Sequence, residues 1–401
     1  MEQLRFLTRT IQERSRKKMM TSSERVIATL EGETPDRIPC DLGSSFVTGI
    51  TKIAYENLSN YLGRKARKTA LYDTVQQLAV VDEELLKELE VDVRGLIPNM
   101  VRKHPVLEEE ENCDVFTDEW GVHWKKPKDG GLYFDLVKSP LSGELTEDDI
   151  ERHPWPDPQA PALFDGLREK ALQYYEDGYA VILESLCAGI FEMSCRIRGY
   201  EQFYEDLLIQ PELACRLMDK LVECKIGFYE KAAELFGETI QFVREGDDIG
   251  SQESLLISPA LYRNYLKPRH QRLFEAQKEI FPAPFCVFFH SDGAIYELIP
   301  DFIEAGLEVL NPVQVAGAGM SLTRLKTEFG KKISFWGGGV DTQHVLPRST
   351  PAEVKEDVRK RIKALAPEGG YIFGAIHNIL ADVPPENVIA MWEAFREMRA
   401  Y

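Results

Sequence analysis

Residues 286–293, Cys286-Val-Phe-Phe-His-Ser-Asp-Gly293, decide how the rest of the chain is read. A short apolar and aromatic run of this kind is a buried strand. It stops abruptly at His290 and Asp292, two groups able to bind a metal or move protons, and a turn glycine follows. In a parallel α/β protein the strands are sealed between helices and present polar side chains to a ligand at their carboxyl ends. The stretch therefore predicts a parallel sheet with chemistry along one rim.

Working outward, similar runs recur on both sides. Upstream stand Asp36-Arg-Ile-Pro-Cys-Asp-Leu-Gly43, Val91-Asp-Val-Arg-Gly-Leu-Ile97, Gly178-Tyr-Ala-Val-Ile-Leu-Glu184 and Ile240-Gln-Phe-Val-Arg-Glu245. Downstream stand Glu308-Val-Leu-Asn-Pro-Val-Gln314, Ile333-Ser-Phe-Trp-Gly-Gly-Gly339 and Tyr371-Ile-Phe-Gly-Ala-Ile-His377. Helical periodicity fills the intervals, over about 51–63, 69–90, 200–236 and 321–329. Serine at 22, Ser258-Pro259 and Thr350-Pro351 supply helix starts. Eight strands, each followed by helix, give an α/β fold, a (β/α)8 TIM barrel.

Residues 103–155 break the alternation and form an insertion between strands 2 and 3. There Trp120-Gly-Val-His-Trp124 and Gly131-Leu-Tyr-Phe-Asp-Leu-Val137 read as two arms of a hairpin. Trp120, His123 and Trp124 either line an aromatic substrate slot or form a small satellite core. The expected organisation is an N-terminal helical arm over 1–21 and one barrel over 22–401. The arm is basic and amphipathic, with Arg9, Arg14, Arg16, Lys17 and Lys18 around Leu4, Phe6, Leu7 and Ile11. It suits packing on the body or on a second copy in a homo-oligomer, and it lacks the long apolar core of a secretory signal.

Acidic residues outnumber basic ones, 66 to 48 in 401 residues, for a formal charge of −18, and such a surface repels a nucleic-acid backbone. No apolar run approaches the ~20 residues needed to span a bilayer. The seven cysteines are scattered and never spaced C-x-x-C, which fits a reducing cytoplasm better than a disulfide framework.

On this alignment of strands, Asp41, Glu184, Glu245, Asp247, His290, Asp292, Asn311, Gln314, Asp341 and His377 share one rim, with Cys187 nearby. A single aspartate after a strand often caps the next helix, as Asp292 or Asp341 can. His290 and His377 are harder to explain structurally, because both end strongly apolar strands. Two histidines with one or two carboxylates suit zinc with an open coordination position. The same groups without metal suit a proton-transfer pair and its orienting carboxylate.

Several motifs together resemble the uroporphyrinogen decarboxylase superfamily, and within it the branch of corrinoid-dependent methyltransferases. They are Thr34-Pro-Asp-Arg-Ile-Pro39, Gly246-Asp-Asp-Ile-Gly250, His290-Ser-Asp-Gly293, Asn311-Pro-Val-Gln314, Phe335-Trp-Gly-Gly-Gly339 with Asp341-Thr-Gln343, and Ile376-His-Asn378 with Pro384-Pro-Glu-Asn387. The resemblance covers nearly everything from Ser22 onward. It implies a barrel whose mouth receives a small-molecule methyl donor and a corrinoid carried by a separate protein. Zinc methyltransferases of the superfamily hold metal through His-x-Cys on one strand and a Cys nine residues ahead of a Glu-Asn pair. Here His290-x-Asp292 and His377, nine ahead of Glu386-Asn387, stand in those places.

Loss of the thiolates favours a harder site that polarises an ether oxygen. The chain is thus similar to the substrate methyltransferase of O-demethylase systems, acting on a methoxylated, aromatic donor. The expected metal ligands are His290, Asp292, His377 and Glu184. Glu245, Asp247 and Asp248 are expected to act in proton transfer or in orienting the histidines. Asp41, Trp120, Trp124, Cys187, Asn311, Gln314 and Trp336 are expected around the substrate. The alternative is a metal-free lyase such as the decarboxylase itself. That enzyme resembles this chain in fold but uses an arginine-rich N-terminal segment to hold the porphyrinogen carboxylates, and Leu42-Gly-Ser-Ser-Phe-Val-Thr48 contains no arginine.

Overall fold

Seven parallel strands occur in the sheet in the same order as in the sequence: Val93–Leu96, Ala180–Glu184, Phe242–Gly246, Phe288–His290, Val309–Asn311, Ser334–Trp336 and Tyr371–Ile372. The computed structural model describes residues 20–64 and 68–400, so all but the last two residues of the expected arm over 1–21 lie outside the described residues. Cys40 joins the two edges of the sheet. It bridges in parallel to Phe373, and its carbonyl accepts the Asp92 N–H at 2.9 Å. With that eighth position filled, the sheet curls into the (β/α)8 barrel. Among the described residues, no helix is long and apolar enough to cross a membrane.

The alternation of side chains along each strand explains both cores. Ala180, Ile182, Phe242, Phe288, Val309, Trp336 and Ile372 form one apolar cluster, the filling of the barrel. Their neighbours Val181, Leu183, Val243, Phe289, Leu310, Phe335, Tyr371 and Phe373 belong to the other, larger cluster beneath the helices. A strand has period two, so each residue's parity decides which layer it enters. Continued by two, the inward set reaches Glu184, Arg244, His290 and Asn311. Glu245 has the outward parity.

The amino end of the barrel is tied by ions. Asp92 is fully buried and accepts from Arg25 Nη1 at 2.6 Å, Arg37 Nη1 at 2.8 Å and the Cys40 N–H at 2.9 Å. Asp36 takes Arg25 Nε at 2.6 Å, so the Pro-Asp-Arg-Ile-Pro motif serves the base of the first strand, away from the carboxyl rim. The helix Ser22–Leu30 above it is capped by Thr21, with Glu24 completing a capping box, and Ser22 instead donates to Asp92 at 2.8 Å. Asp92→Ala leaves Arg37 without a carboxylate partner among the described residues and Arg25 with Asp36 alone, in the base of the barrel. It is expected to lower stability by about 3–5 kcal/mol, read as an earlier urea midpoint with the slope unchanged.

Two regions depart from the sequence reading or refine it. Residues 69–90 are not one helix. Leu71–Asp73 pairs antiparallel with Leu78–Ala79, and only Glu83–Glu88 is helical. Asp73 accepts Arg102 Nε at 2.7 Å and the N–H groups of Val75 and Gln76, which draws those donors away from a helical ladder, and Gln77 sits at φ 56°. Between Val93–Leu96 and Ala180–Glu184 lies a separate four-stranded antiparallel sheet, Glu108–Glu110, Cys113–Thr117, His123–Pro127 and Asp135–Lys138. Phe116 stacks on Trp124 at 6.5 Å and meets Phe134 edge-on at 5.2 Å, which gives this sheet its own small core.

Candidate metal centre at the carboxyl rim

His290, Asp292 and His377 meet at the barrel mouth, with one ligand atom from each lying within 4.8 Å of the others. His290 arrives through inward parity at the end of Phe288–His290, and Asp292 two residues later in the turn. His377 comes from the loop after Tyr371–Ile372, and its ring centroid is 5.5 Å from that of His290. Asp292 Oδ2 is 3.9 Å from Nε2 of both histidines, and Asp248 Oδ1 is 3.6 Å from His290 Nε2. Backbone crowding sets these positions. A Cβ on Gly246 would stand 2.7 Å from His290 Cβ, and Gly293 turns at φ 90° after Asp292.

The tautomer of His290 follows from its neighbours. Asn311 Nδ2 donates to the Trp336 carbonyl at 3.0 Å, so Asn311 Oδ1 faces the imidazole and can only accept. His290 Nδ1, 2.6 Å away, must then carry the proton. In the neutral tautomer Nε2 then offers its lone pair on the side of Asp248, Asp292 and His377, the arrangement that metal-binding histidines use. Asn311, fully buried, therefore positions the imidazole. Asn311→Leu is expected to weaken metal binding by about 10–100-fold with His290 still present, measured by competition with a chelating dye.

The electrostatics also suit a cation. Burial pushes the Asp292 carboxyl up to about 7, with His290 opposing the shift and Asp248 and Glu192 adding to it. Burial holds the His377 imidazole below its ordinary value, against Asp248 and Glu192. Asp292 Oδ1 is buried without a hydrogen-bond partner among the described residues. An unmatched buried oxygen of this kind costs about 1–3 kcal/mol, and an ion between the three side chains would satisfy it. Two neutral imidazole nitrogens and one carboxylate fit zinc, with room for a further ligand.

The remaining expected site residues distribute differently. Glu184 does not join the cluster. It accepts Arg244 Nε at 2.5 Å and the Phe46 N–H at 2.8 Å, a buried pair inside the mouth, and burial keeps its carboxyl above the ordinary value despite Arg244. Glu245 faces the helices, as its parity requires. It takes Lys225 Nζ at 2.9 Å, Ser185 Oγ at 2.6 Å and the Tyr229 hydroxyl. Burial works against its charge, but Lys225, Ser185 and Tyr229 outweigh it and hold the carboxyl low. Asp247 accepts the N–H groups of Phe191 and Glu192 at 2.7 and 2.8 Å, at the start of the helix Ile190–Arg198, and pairs with His270 at 3.1 Å. It orients that buried histidine and not His290. Asp248 alone of the three expected proton-transfer acids adjoins the centre, and it also accepts the Asp292 N–H at 3.0 Å.

Among the expected substrate contacts, Trp336 is fully buried between Phe242 and Phe288, each 5.3 Å away, and fills the barrel. Its indole donates to Asp41, whose carboxyl burial raises to about 6. Asp41 also accepts from Ser44 Oγ at 2.7 Å. Gln314 accepts the Gly293 N–H at 2.5 Å and steadies the turn after Asp292. Burial pushes the Cys187 thiol up to about 12, which leaves it inert. Trp120 packs edge-on against Trp155 in the satellite core.

Trp124 has a different setting. With His377 and Asn378 it lines a cavity of about 470 Å³, whose wall also carries Thr51, Tyr133, Arg196 and Tyr200. The last four escaped the sequence reading because nothing local marks them. They come from distant elements and meet only at this wall.

The chain matches uroporphyrinogen decarboxylase (URO-D) over residues 140–398. A uroporphyrinogen decarboxylase of Syntrophotalea carbinolica is 28% identical over 183 residues, 44% of this chain and 46% of the relative. A methylated-thiol–coenzyme M methyltransferase of Methanosarcina mazei is 26% identical over 256 residues, 61% of each. The chain spans about half the length of the first curated relatives it matches. A solved methyltransferase structure from Methanosarcina mazei aligns over 94% of this chain and 99% of its own, with a TM-score of 0.62 and 17% identity, a likeness of fold.

Proposed function

The chain belongs to the uroporphyrinogen decarboxylase family, and from that premise we propose that it transfers the methyl group of a methoxylated aromatic compound to the Co(I) corrinoid of a partner protein. The observation that carries this reading is the His290–Asp292–His377 cluster, set beside an aromatic-walled cavity that includes His377. The methyltransferase of Methanosarcina mazei is consistent with it.

In the proposed reaction the methyl–oxygen bond breaks with its electron pair left on oxygen. The new bond to methyl uses the electron pair of Co(I), and the departing phenolate takes up a proton. Phenolate is a poor leaving group, so charge must be stabilised at that oxygen as it develops. Zinc held by His290, Asp292 and His377 would supply a Lewis acid there. Asn311 holds the His290 ring through Nδ1, which leaves Nε2 on the side of Asp292 and His377, and Asp248 restrains Asp292 through its N–H. Trp124, Tyr133 and Tyr200 give the ring an apolar bed and keep bulk water from the reacting bond.

The test is to supply the purified chain with a methoxylated aromatic and a Co(I) corrinoid protein, following loss of the Co(I) absorption and release of the phenol. Coupled, stoichiometric changes support the reading. Phenol release without corrinoid, or no release with any methoxylated donor, rejects it. The decarboxylase relatives favour a second reading, turnover of a porphyrinogen. A cavity wall with one guanidinium, Arg196, is a poor match for a polycarboxylate, and carbon dioxide release from uroporphyrinogen is expected to stay at background.

A further inference from the structure

The helix opened by Ser258-Pro259 does not run as a plain α-helix. A π turn, Tyr262–Leu266, stands between Pro259–Leu261 and Lys267–Ile280, and the Lys267 N–H reaches back five residues to the Tyr262 carbonyl. An α-helix turns about 100° per residue, so eight residues would carry His270 about 80° away from the face of Tyr262. A π turn takes in one more residue for the same rotation, which returns the two to one face. There the Tyr262 hydroxyl and His270 Nδ1 lie 3.1 Å apart, both side chains out of solvent. On its other side His270 Nε2 is 3.1 Å from Asp247 Oδ2, and a carboxylate can only accept, so Nε2 carries the proton. The ring also meets Phe289, the residue before His290, edge-on at 4.9 Å. The proposed reaction uses neither Tyr262 nor His270.

Asp247 passes that support on by two routes. Its carboxylate accepts the Phe191 and Glu192 N–H groups, two of the unpaired donors at the amino end of the helix Ile190–Arg198. A Cβ on Gly189 would collide with this carboxylate, so glycine lets the helix end seat there. The same helix brings Arg196 to the cavity wall. The second route is the main chain. The Asp247 N–H donates to the His290 carbonyl at 2.8 Å, just past the pairing of His290 with Gly246. Asp248, next in the chain, accepts the Asp292 N–H, so residues 247 and 248 hold both ends of His290-Ser-Asp292.

Resting on the zinc site proposed above, we propose that His270, behind the barrel wall, is a positioning residue that acts through Asp247 to place His290 and Asp292 and to seat the helix that walls the cavity. The helix-end N–H groups approach Asp247 from one side and His270 from another, and donors from two directions fix the carboxylate where one set would leave it free to turn. A ligand set works only within about 0.5 Å of its productive geometry. Loss of the His270 donor is therefore felt at His290 Nε2 without any change in the ligands themselves. The Tyr262 hydroxyl holds the imidazole in the rotamer that this needs.

The test compares wild type, His270→Phe, His270→Gln and Tyr262→Phe. His270→Phe keeps a ring against Phe289 and removes the donor, whereas His270→Gln retains an N–H donor of similar reach. The readouts are zinc affinity by competition with a chelating dye, the visible spectrum of the cobalt(II)-substituted centre, and amide hydrogen exchange over residues 190–195 and 245–249 in metal-free protein. His270→Phe is expected to weaken zinc by about 10-fold, to alter the cobalt spectrum and to speed exchange in both segments. His270→Gln should restore most of each, and Tyr262→Phe should move all three in the direction of His270→Phe by less, which keeps the inference testable if His270→Phe does not fold. Affinity, spectrum and exchange unchanged in His270→Phe and Tyr262→Phe overturn it, as does a loss in His270→Gln equal to that in His270→Phe. If wild type takes up no metal, the zinc reading fails and amide exchange in the metal-free variants still decides the positioning role. If wild type binds zinc and transfers methyl but the variants match it in all three readouts, the zinc reading stands and the positioning role fails.

Discussion

On the proposed reading, alanine at His290 or at His377 is expected to abolish metal binding and to lower methyl transfer by at least about 10³-fold, because each imidazole would supply one of three donors to the same ion. Protein purified without chelator should carry about one zinc per chain as wild type and almost none as either variant. The two variants are not equivalent in their surroundings. His290 is buried and hydrogen-bonded to Asn311, whereas His377 borders the cavity and is partly exposed. His290→Ala therefore also leaves Asn311 Oδ1 without a partner and should cost some stability, while His377→Ala should melt close to wild type. Wild-type protein that contains no transition metal and takes up none on reconstitution would sink the Lewis-acid proposal. The same rim would then have to work through His290, Asp248 and Asp292 as proton-transfer groups.

A large loss of stability is expected from Lys225→Met. Lys225 and Glu245 are both essentially out of solvent, and the ammonium meets both carboxylate oxygens at 2.9 and 3.1 Å. Removing the lysine leaves a carboxylate whose remaining partners are the Ser185 and Tyr229 hydroxyls. A broken buried pair costs about 3–5 kcal/mol. Replacing both partners, Lys225→Met with Glu245→Leu, should restore most of that loss, because no uncompensated charge remains. The readout is the denaturant midpoint of the two variants. If the single substitution is nearly silent, the pair is not held out of water in solution. If the double variant is folded but has lost metal, Glu245 serves the centre after all.

Much of the architecture was legible in the sequence, for a definite reason. A strand buried on both faces needs a short apolar run, and a βα unit needs a capped helix after it, so eight such runs with their caps predict a barrel directly. The reading failed at 69–90, where Asp73 and Gln77 favour turns over the helical pattern around them. It also took all polar strand ends as one rim. Parity along Phe242–Gly246 separates them, since Arg244 follows Phe242 inward and Glu245 follows Val243 outward.

By itself, then, the sequence determined the order of the strands, the residues able to ligate a metal and the family to which the chain belongs, because each is written in local periodicity or in a contiguous motif. Only the tertiary structure decided which of those polar groups are free. Glu184 is neutralised by Arg244, Glu245 by Lys225, and Asp247 is taken by a helix end and His270. Whether a carboxylate faces a cation, a helix or a cavity depends on groups brought in from distant parts of the chain. Closure of the barrel likewise carries His377 to His290 from three strands further along the chain, and no local pattern encodes a distance of that kind.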